Sequence, residues 1–126
     1  MSFTPEHAVV WTEIPVSDLA AGRRFYEAVF QWKTTLVEDQ GPNPYAMFPT
    51  PDEKKSVAGH LYPGTPVAGG PTVHLQIPDD LDAASERVRA NGGTVLPIPP
   101  ITIPAGRFAY ATDPDGNSIG LFEAAG

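Results

Sequence analysis

The chain has 126 residues, no cysteine and a formal net charge of −7. The absence of cysteine excludes disulfides, thiolate nucleophiles and cysteine-ligated metal sites, and the acidic balance argues against nucleic acid and anionic membranes as partners. No apolar run approaches the ~20 residues that a membrane helix needs, and residues 1–10 lack the basic and apolar parts of a signal peptide. We therefore expect a cytoplasmic protein with no membrane partner.

The regular pattern begins at residues 8–16, whose β-branched and apolar residues alternate with others and predict a half-buried strand. Ser17 or Asp18 can then cap a helix that runs to Trp32, since its apolar residues recur at helical spacing. Proline-rich turns separate three further predicted strands, over residues 32–38, 45–49 and 56–62.

The same pattern restarts after residues 63–71, a linker by composition. Residues 72–77 again alternate, and Asp79 or Asp80 can begin a helix that ends at the Asn91-Gly92-Gly93 stop signal. Three predicted strands follow, over residues 94–98, 107–112 and 117–123. The proline-rich residues 97–104 are predicted as an edge strand or a crossover loop, because proline lacks the donor that a central strand needs.

The order is therefore strand, helix and three strands, repeated at an offset of about 61–62 residues, which indicates a duplicated unit. We predict an α+β fold in a single domain over residues 1–126. It would consist of module one (residues 8–62), a linker (63–71) and module two (72–123), with two paired βαβββ units forming a curled mixed-sheet cup.

Three stretches of sequence resemble one known family. They are WTEIPVSDLAAGRRFYEAVFQW, DDLDAASERVRANGGTVL and GRFAYATDPDGNSIGLFE. These resemble the first-module signature, the second-module helix and the closing hairpin of the vicinal oxygen chelate superfamily, which includes glyoxalase I, bleomycin-resistance proteins and extradiol dioxygenases. The nearest likeness is to small single-chain glyoxalase-like proteins. The resemblance implies two curled half-barrels that enclose a small-molecule cavity, commonly across a homodimer.

The resemblance also implies where a metal would bind, because metal-using members take ligands from the first and last strands of both modules. Those positions fall on Trp11, His60, His74 and Gly120. Tryptophan and glycine cannot ligate a metal, so the standard four-ligand centre is broken. Glu13 shares the predicted face of Trp11, which leaves two hypotheses. Either Glu13, His60 and His74 form a displaced site for Zn, Ni, Mn or Fe, or the cup holds no metal and binds an organic ligand. The residues favour the second hypothesis.

The candidate ligand-binding residues are Trp11, Arg107, Phe108 and Tyr110. Arg107 could hold a carboxylate or phosphate by a bidentate contact, pair with Glu13, or lie at the rim in solvent. Phe108 and Tyr110 share a predicted strand face and could line either the cup or the core. His74 could equally be a pocket histidine bonded to a backbone carbonyl, and His60 an exposed residue at a strand end.

Three functions stay open at this stage. The first is a lactoylglutathione-lyase-like lyase or isomerase, in which a metal or a base such as Glu13 removes a proton, with His74 as the other catalytic candidate and Arg107 holding an anionic substrate. The second is a non-catalytic protein that sequesters an aromatic or cationic drug or metabolite. The third is an iron dioxygenase, against which Gly120 argues. Apolar edge strands and an aromatic first helix lead us to expect a homodimer.

Overall fold

The computed structural model describes residues 2–39, 41, 43–52 and 54–126. Within these residues it has two helices and two mixed sheets, of four and five strands, which confirms the predicted α+β class. The elements of the first half are β1 (Trp11–Val16), α1 (Leu19–Phe30), β2 (Thr35–Val37), β3 (Tyr45–Met47) and β4 (Ala58–Pro63). Those of the second half are β5 (Val73–Gln76), α2 (Leu81–Ala90), β6 (Thr94–Val95), β7 (Ile101–Ile103), β8 (Gly106–Thr112) and β9 (Ser118–Ala124).

The two sheets repeat one topology. The first has the strand order β1-β4-β3-β2 and the second β5-β9-β8-β6, with β7 also pairing with β8. In each sheet the first strand runs parallel to the last, so Glu13 lies opposite His60 and His74 lies opposite Gly120. The register therefore places the four residues at equivalent positions of the two modules.

Both helices begin at an aspartate that caps them. The carboxylate of Asp18 accepts a hydrogen bond from the Ala21 N–H at 3.0 Å, and that of Asp80 accepts one from the Ala83 N–H at 2.8 Å. The alternative caps have other partners, because the Ser17 hydroxyl bonds to Asp115 and Asp79 pairs with Arg87. Of the two candidates offered for each helix, the second one is correct.

Several predicted boundaries differ in the structure, including the end of the first helix, which lies at Phe30 and not at Trp32. The strand expected over residues 8–16 begins only at Trp11, because its partner β4 begins at Ala58, which is the residue that pairs with Trp11. The strand expected over 32–38 shortens to β2, since Trp32 turns inward onto other aromatic rings. Of the two alternatives for residues 97–104, the edge strand is correct, and β7 lies between the flanking prolines.

One hydrophobic core runs through both modules. It includes Phe30 and Leu61 from module one and Ile119 and Leu121 from module two, all at most 1% exposed. Each such side chain contributes roughly 1.5–3 kcal/mol on burial. The helices also touch directly, since Nε of Arg87 on α2 donates to a carbonyl of α1 at 2.7 Å. No helix among the described residues has the length and apolar character to cross a lipid bilayer.

A buried polar network joins the modules at one end of β1. The Tyr26 hydroxyl donates to Oδ2 of Asp113 at 2.8 Å, and Nδ2 of Asn117 donates both to that oxygen and to the Pro15 carbonyl, each at 2.8 Å. Burial, together with the adjacent Asp113 carboxylate, raises the pKa of Tyr26 well above its usual value. The phenol therefore keeps its proton and serves as a donor.

The modules differ by one residue between first strand and helix. In module one the buried Val16 precedes the cap Asp18 by two residues, whereas in module two the buried Ile77 precedes Asp80 by three. Strand positions counted back from the helix caps therefore differ by one residue between the two modules. Aligned by strand instead, the counterpart of His74 is Glu13, because each precedes a buried core residue.

Candidate functional site

Each sheet has one face against the helices and one face turned away from them. Buried residues such as Ile14 and Leu61 face the helices, so their strand neighbours lie on the opposite side. We call this side the helix-free face. In module one it carries Trp11, Glu13, Tyr45, His60 and Tyr62, and in module two it carries His74, Gln76, Phe108, Tyr110 and Phe122.

His60 is held from both sides on the face of module one. The Trp11 indole N–H donates to Nδ1 of His60 at 3.0 Å. An indole nitrogen can only donate, so in the neutral ring the proton lies on Nε2, which faces Oε1 of Glu13 at 3.3 Å. Tyr45 packs on the imidazole, with ring centroids 4.6 Å apart. The His60 side chain is only 15% exposed, whereas that of Glu13 is 62% exposed.

His74 occupies the matching place on module two in a different way. Its ring packs edge-on against Phe108, with centroids 4.6 Å apart, and lies 6.1 Å from the ring of Tyr110. The imidazole lies directly over Gly120, where a Cβ atom would overlap it. Burial lowers the pKa of His74, so the ring is neutral at neutral pH.

The donor set does not fit a metal centre within one chain. Among the residues that the structure describes, no group of three or more His, Cys, Asp or Glu side chains is placed to hold a metal ion. Glu13 and His60 adjoin, but His74 is not brought to them. The place of a fourth ligand, at Gly120, is filled by the His74 ring. We therefore derive no chemical step through a metal.

Arg107 lies on the opposite face of β8 from Phe108 and Tyr110. Its Nε atom donates to Oε2 of Glu123 at 3.0 Å, and Glu123 in turn accepts from the Leu81 N–H at the start of α2. The hydrogen bond between the two side chains raises the pKa of Arg107 and lowers that of Glu123. The structure thus places Arg107 beside the second helix and away from Glu13 and the aromatic candidates.

A cavity of about 660 Å³ opens beside β1 and β5, the first strands of the two modules. This volume falls within the ~300–1,000 Å³ typical of small-molecule sites. Trp11, Trp32 and Phe48 form an aromatic part of its wall, and His74 and Gln76 supply polar groups. No Asp, Glu, Lys or Arg lines it among the residues described, so the wall is mainly apolar and carries no carboxylate, ammonium or guanidinium group.

A second cavity of about 200 Å³ adjoins the first. The two share Thr12, Pro71 and Val73 in their walls. Within the described part of the chain, Glu13 is the one charged residue that lines the smaller cavity. An acidic residue thus lines the cavity that adjoins the uncharged one.

Sequence reasoning missed most of the residues that line the large cavity, among them Trp32, Phe48 and Gln76. Phe48 is only 5% exposed and belongs to the hydrophobic core. The Trp32 ring lies 4.9 Å from the rings of both Phe30 and Phe48, so the same aromatic cluster is core on one side and cavity wall on the other. No local pattern separates these two roles, although Gln76 follows His74 at the two-residue spacing of one strand face.

Comparisons with known proteins identify the family. A family model for the Glyoxalase/Bleomycin resistance protein/Dioxygenase superfamily matches residues 8–121. The chain is 31% identical over 121 residues to CFP32 of Mycobacterium bovis, whose name assigns it provisionally to the glyoxylases; the match covers 90% of this chain and 44% of CFP32. It is also 31% identical over 128 residues to the anthracycline biosynthesis protein DnrV of Streptomyces peucetius, covering 91% of this chain and 46% of DnrV. The chain thus spans less than half of the length of these curated relatives.

Solved structures agree with this assignment. TnmS3, an antibiotic binding protein from Streptomyces sp. CB03234, superposes with a TM-score of 0.58 at 27% identity, over 98% of this chain and 100% of that one. A glyoxalase/bleomycin resistance protein from Albidiferax ferrireducens T118 shares the fold, with a TM-score of 0.70 at 21% identity over 94% of this chain and 100% of the other. As the sequence resemblance predicted, the chain belongs to the Glyoxalase/Bleomycin resistance protein/Dioxygenase superfamily.

Proposed function

We propose that the protein binds a small aromatic organic molecule in the large cavity, without the standard four-ligand metal centre. The observation that carries this proposal is the cavity wall, in which Trp11, Trp32 and Phe48 surround an uncharged space of about 660 Å³. Both tryptophans of the chain line it. Aromatic side chains give planar ligands a large contact area at little cost in side-chain entropy.

Two relatives support an aromatic ligand. TnmS3 is described as an antibiotic binding protein, and DnrV is named for anthracycline biosynthesis. Anthracyclines contain a planar fused-ring system, which matches the chemistry of the wall. Because this chain spans less than half of DnrV, the ligand of that longer protein is carried over here only as a starting point for the choice of probe.

Isothermal titration calorimetry with an anthracycline tests the proposal. We expect saturable binding, and we expect Trp11→Ala to weaken it about tenfold or more, as truncating a central aromatic contact does. Ile103→Ala is the matched control, since Ile103 is an exposed apolar residue on β7 that lines neither cavity. If the anthracycline and other fused-ring compounds failed to bind at millimolar concentration, or if Trp11→Ala bound as well as the control, the proposal would be wrong.

Metal content tests the second half of the proposal. Purified protein exposed to Ni, Zn, Mn and Fe(II) should retain none of them in stoichiometric amount, because Glu13, His60 and His74 are not brought together in one chain. If the wild-type protein retained a stoichiometric metal and His74→Ala lost it, this expectation would be wrong, and the displaced site of Glu13, His60 and His74 would be supported.

We also propose that the protein works as a homodimer in the cytoplasm. Within the described residues, β1 pairs only with β4 and β5 only with β9, so both strands present a free edge. Val9, Val10 and Val57, beside β1, are exposed apolar residues. Free strand edges flanked by apolar side chains favour association. Sedimentation equilibrium should give twice the chain mass, and a monomer at micromolar concentration would contradict the proposal.

The contact between Glu13 and His60 favours a second candidate, a glyoxalase-like lyase or isomerase in which Glu13 removes a proton beside a carbonyl. The pairing of Arg107, the expected anchor for an anionic substrate, with Glu123 counts against this candidate. Turnover of the glutathione adduct of methylglyoxal, abolished in Glu13→Gln, would support this candidate. Absence of turnover in the wild-type protein at saturating substrate would exclude that reaction.

A further inference from the structure

Charge is distributed unequally over the two adjoining cavities. The described wall of the large cavity contains no charged residue, whereas Glu13 lines the small one. Because Thr12, Pro71 and Val73 belong to both walls, a ligand in the large cavity can extend past them into the small one. A molecule that fills both would place one end among aromatic rings and the other beside a carboxylate.

The backbone of β1 sets the spacing of the two residues that would contact the two ends of such a ligand. Trp11 and Glu13 are two residues apart on β1 and share its helix-free face, but Trp11 lines the large cavity and Glu13 the small one. A strand rises roughly 3.3 Å per residue, so the two positions lie roughly 6–7 Å apart along it. This is the span of a short aliphatic chain between an aromatic ring and a polar group.

The Glu13 carboxylate is placed to receive a cation. Its side chain is 62% exposed, and its Oε1 atom is oriented by Nε2 of His60 at 3.3 Å. No lysine or arginine lines either cavity in the described part of the chain. The whole chain carries a net charge of −7, which attracts cations and repels anions.

We propose that the two cavities form one bipartite site for an aromatic molecule that carries a protonated amine, with the ring against Trp11 and the amine at Glu13. This inference rests on the proposed function, because it requires the aromatic part of the ligand to occupy the large cavity. It adds the charge of the ligand and the residue that recognises it.

Three naphthalene compounds with matched side chains test the inference by calorimetry, namely 2-(1-naphthyl)ethylamine, 2-(1-naphthyl)ethanol and 3-(1-naphthyl)propionate. We expect the amine to bind about two- to fivefold more tightly than the alcohol, the range expected for an exposed ion pair, and the carboxylate to bind most weakly. In Glu13→Gln the amine should lose this advantage, while the affinity for the alcohol should stay as in the wild type. The Trp11 indole N–H signal in NMR spectra should shift with every compound that binds.

Glu86→Gln is the matched control, because it removes the same charge from α2, outside both cavities, where Glu86 pairs with Arg89. It should preserve the preference for the amine. Equal affinity for amine and alcohol in the wild type, or an unchanged preference in Glu13→Gln, would overturn the inference while leaving the aromatic site intact. If none of the three compounds bound, the proposed function itself would fail, and the inference with it.

Discussion

On the helix-free faces, the two modules have the same strand register but carry different side chains at the paired positions. In module one, Glu13 and His60 lie opposite each other and in contact, and Trp11 holds the imidazole by a hydrogen bond. In module two the corresponding pair is His74 and Gly120, and the imidazole lies over the glycine beside aromatic rings. Module one therefore has a polar pair at this register, whereas module two has a histidine that packs on a glycine and against aromatic rings.

Two modules with one topology thus carry different side-chain arrangements at the same register. A glycine at position 120 removes one side chain and also creates the space into which His74 folds. Once the ring occupies that space, a carboxylate cannot return there unless the ring moves. The loss of one potential ligand is therefore coupled to the position of another.

The largest expected effect concerns the network that holds the two modules in one arrangement. Asp113 is 3% exposed and accepts hydrogen bonds from Tyr26, Asn117 and the Asp115 N–H. Asp113→Ala should lower the free energy of unfolding by about 3–5 kcal/mol, because it leaves several buried donors without a partner. Urea unfolding measures the change. Asp39→Ala, at an exposed position, is the control, and a loss no larger than the control's would mean that the network contributes little to stability.

The next effect tests the coupling at Gly120. Gly120→Ala should cost about 1–3 kcal/mol of unfolding free energy, as overpacking does, because the added Cβ overlaps the His74 ring. In a His74→Ala background the same substitution should cost much less. Gly70→Ala, which meets only ordinary van der Waals contact, controls for the loss of glycine. Equal costs in both backgrounds would show that the backbone, and not the His74 ring, requires the glycine.

A smaller effect is expected from pH. Burial lowers the pKa of His74 below the ordinary value of 6.5, so above pH 6.5 the ring is neutral in both folded and unfolded states. As the pH falls below 6.5, the unfolded state takes up the proton first, and the free energy of unfolding decreases until the folded state is protonated too. His74→Gln should remove this part of the decrease between pH 7 and pH 5, whereas His7→Gln, at a largely exposed histidine, should not. Identical pH profiles for His74→Gln and the wild type would contradict the assignment.

The smallest effect is expected at Arg107. Arg107→Ala should leave the affinity for aromatic ligands unchanged, because Arg107 pairs with Glu123 on the face opposite Phe108. Calorimetry with the naphthalene compounds measures it, and Glu123→Gln is the companion variant. If Arg107→Ala weakened the binding of 3-(1-naphthyl)propionate alone, the arginine would belong to the binding site after all.

Much of the fold followed from sequence because it depends on local patterns. Alternation and helical spacing gave the order of the strands and helices in both modules, and capping residues marked the starts of the helices. The position of Arg107 was also within reach, because β8 and β9 form a hairpin around the turn at residues 113–117, and its register sets Arg107 opposite Glu123.

The candidate site was less predictable because its decisive contacts are long-range. The bond from Trp11 to His60 joins residues 49 positions apart, and the fit of His74 over Gly120 depends on a parallel pairing across a module. The extra residue before α2 also misaligned the two halves when they were counted from their helices. Glu13 could be placed at a cavity because it shares a strand face with Trp11, whereas nothing in the local sequence marks Trp32 as part of a cavity wall.

We expect the contacts between the modules to hold them together even when their covalent connection is cut. The core is shared, Arg87 bonds to the first helix, and Ser17 and Pro15 of module one are bonded to Asp115 and Asn117 of module two. The linker, by contrast, has exposed residues at Val67, Ala68 and Gly69. A chain cleaved by a protease between residues 67 and 69 should therefore keep its two fragments together in gel filtration and unfold as one unit. The two halves would then behave as separately encodable subunits, which is how a duplicated module could exchange its partner during evolution.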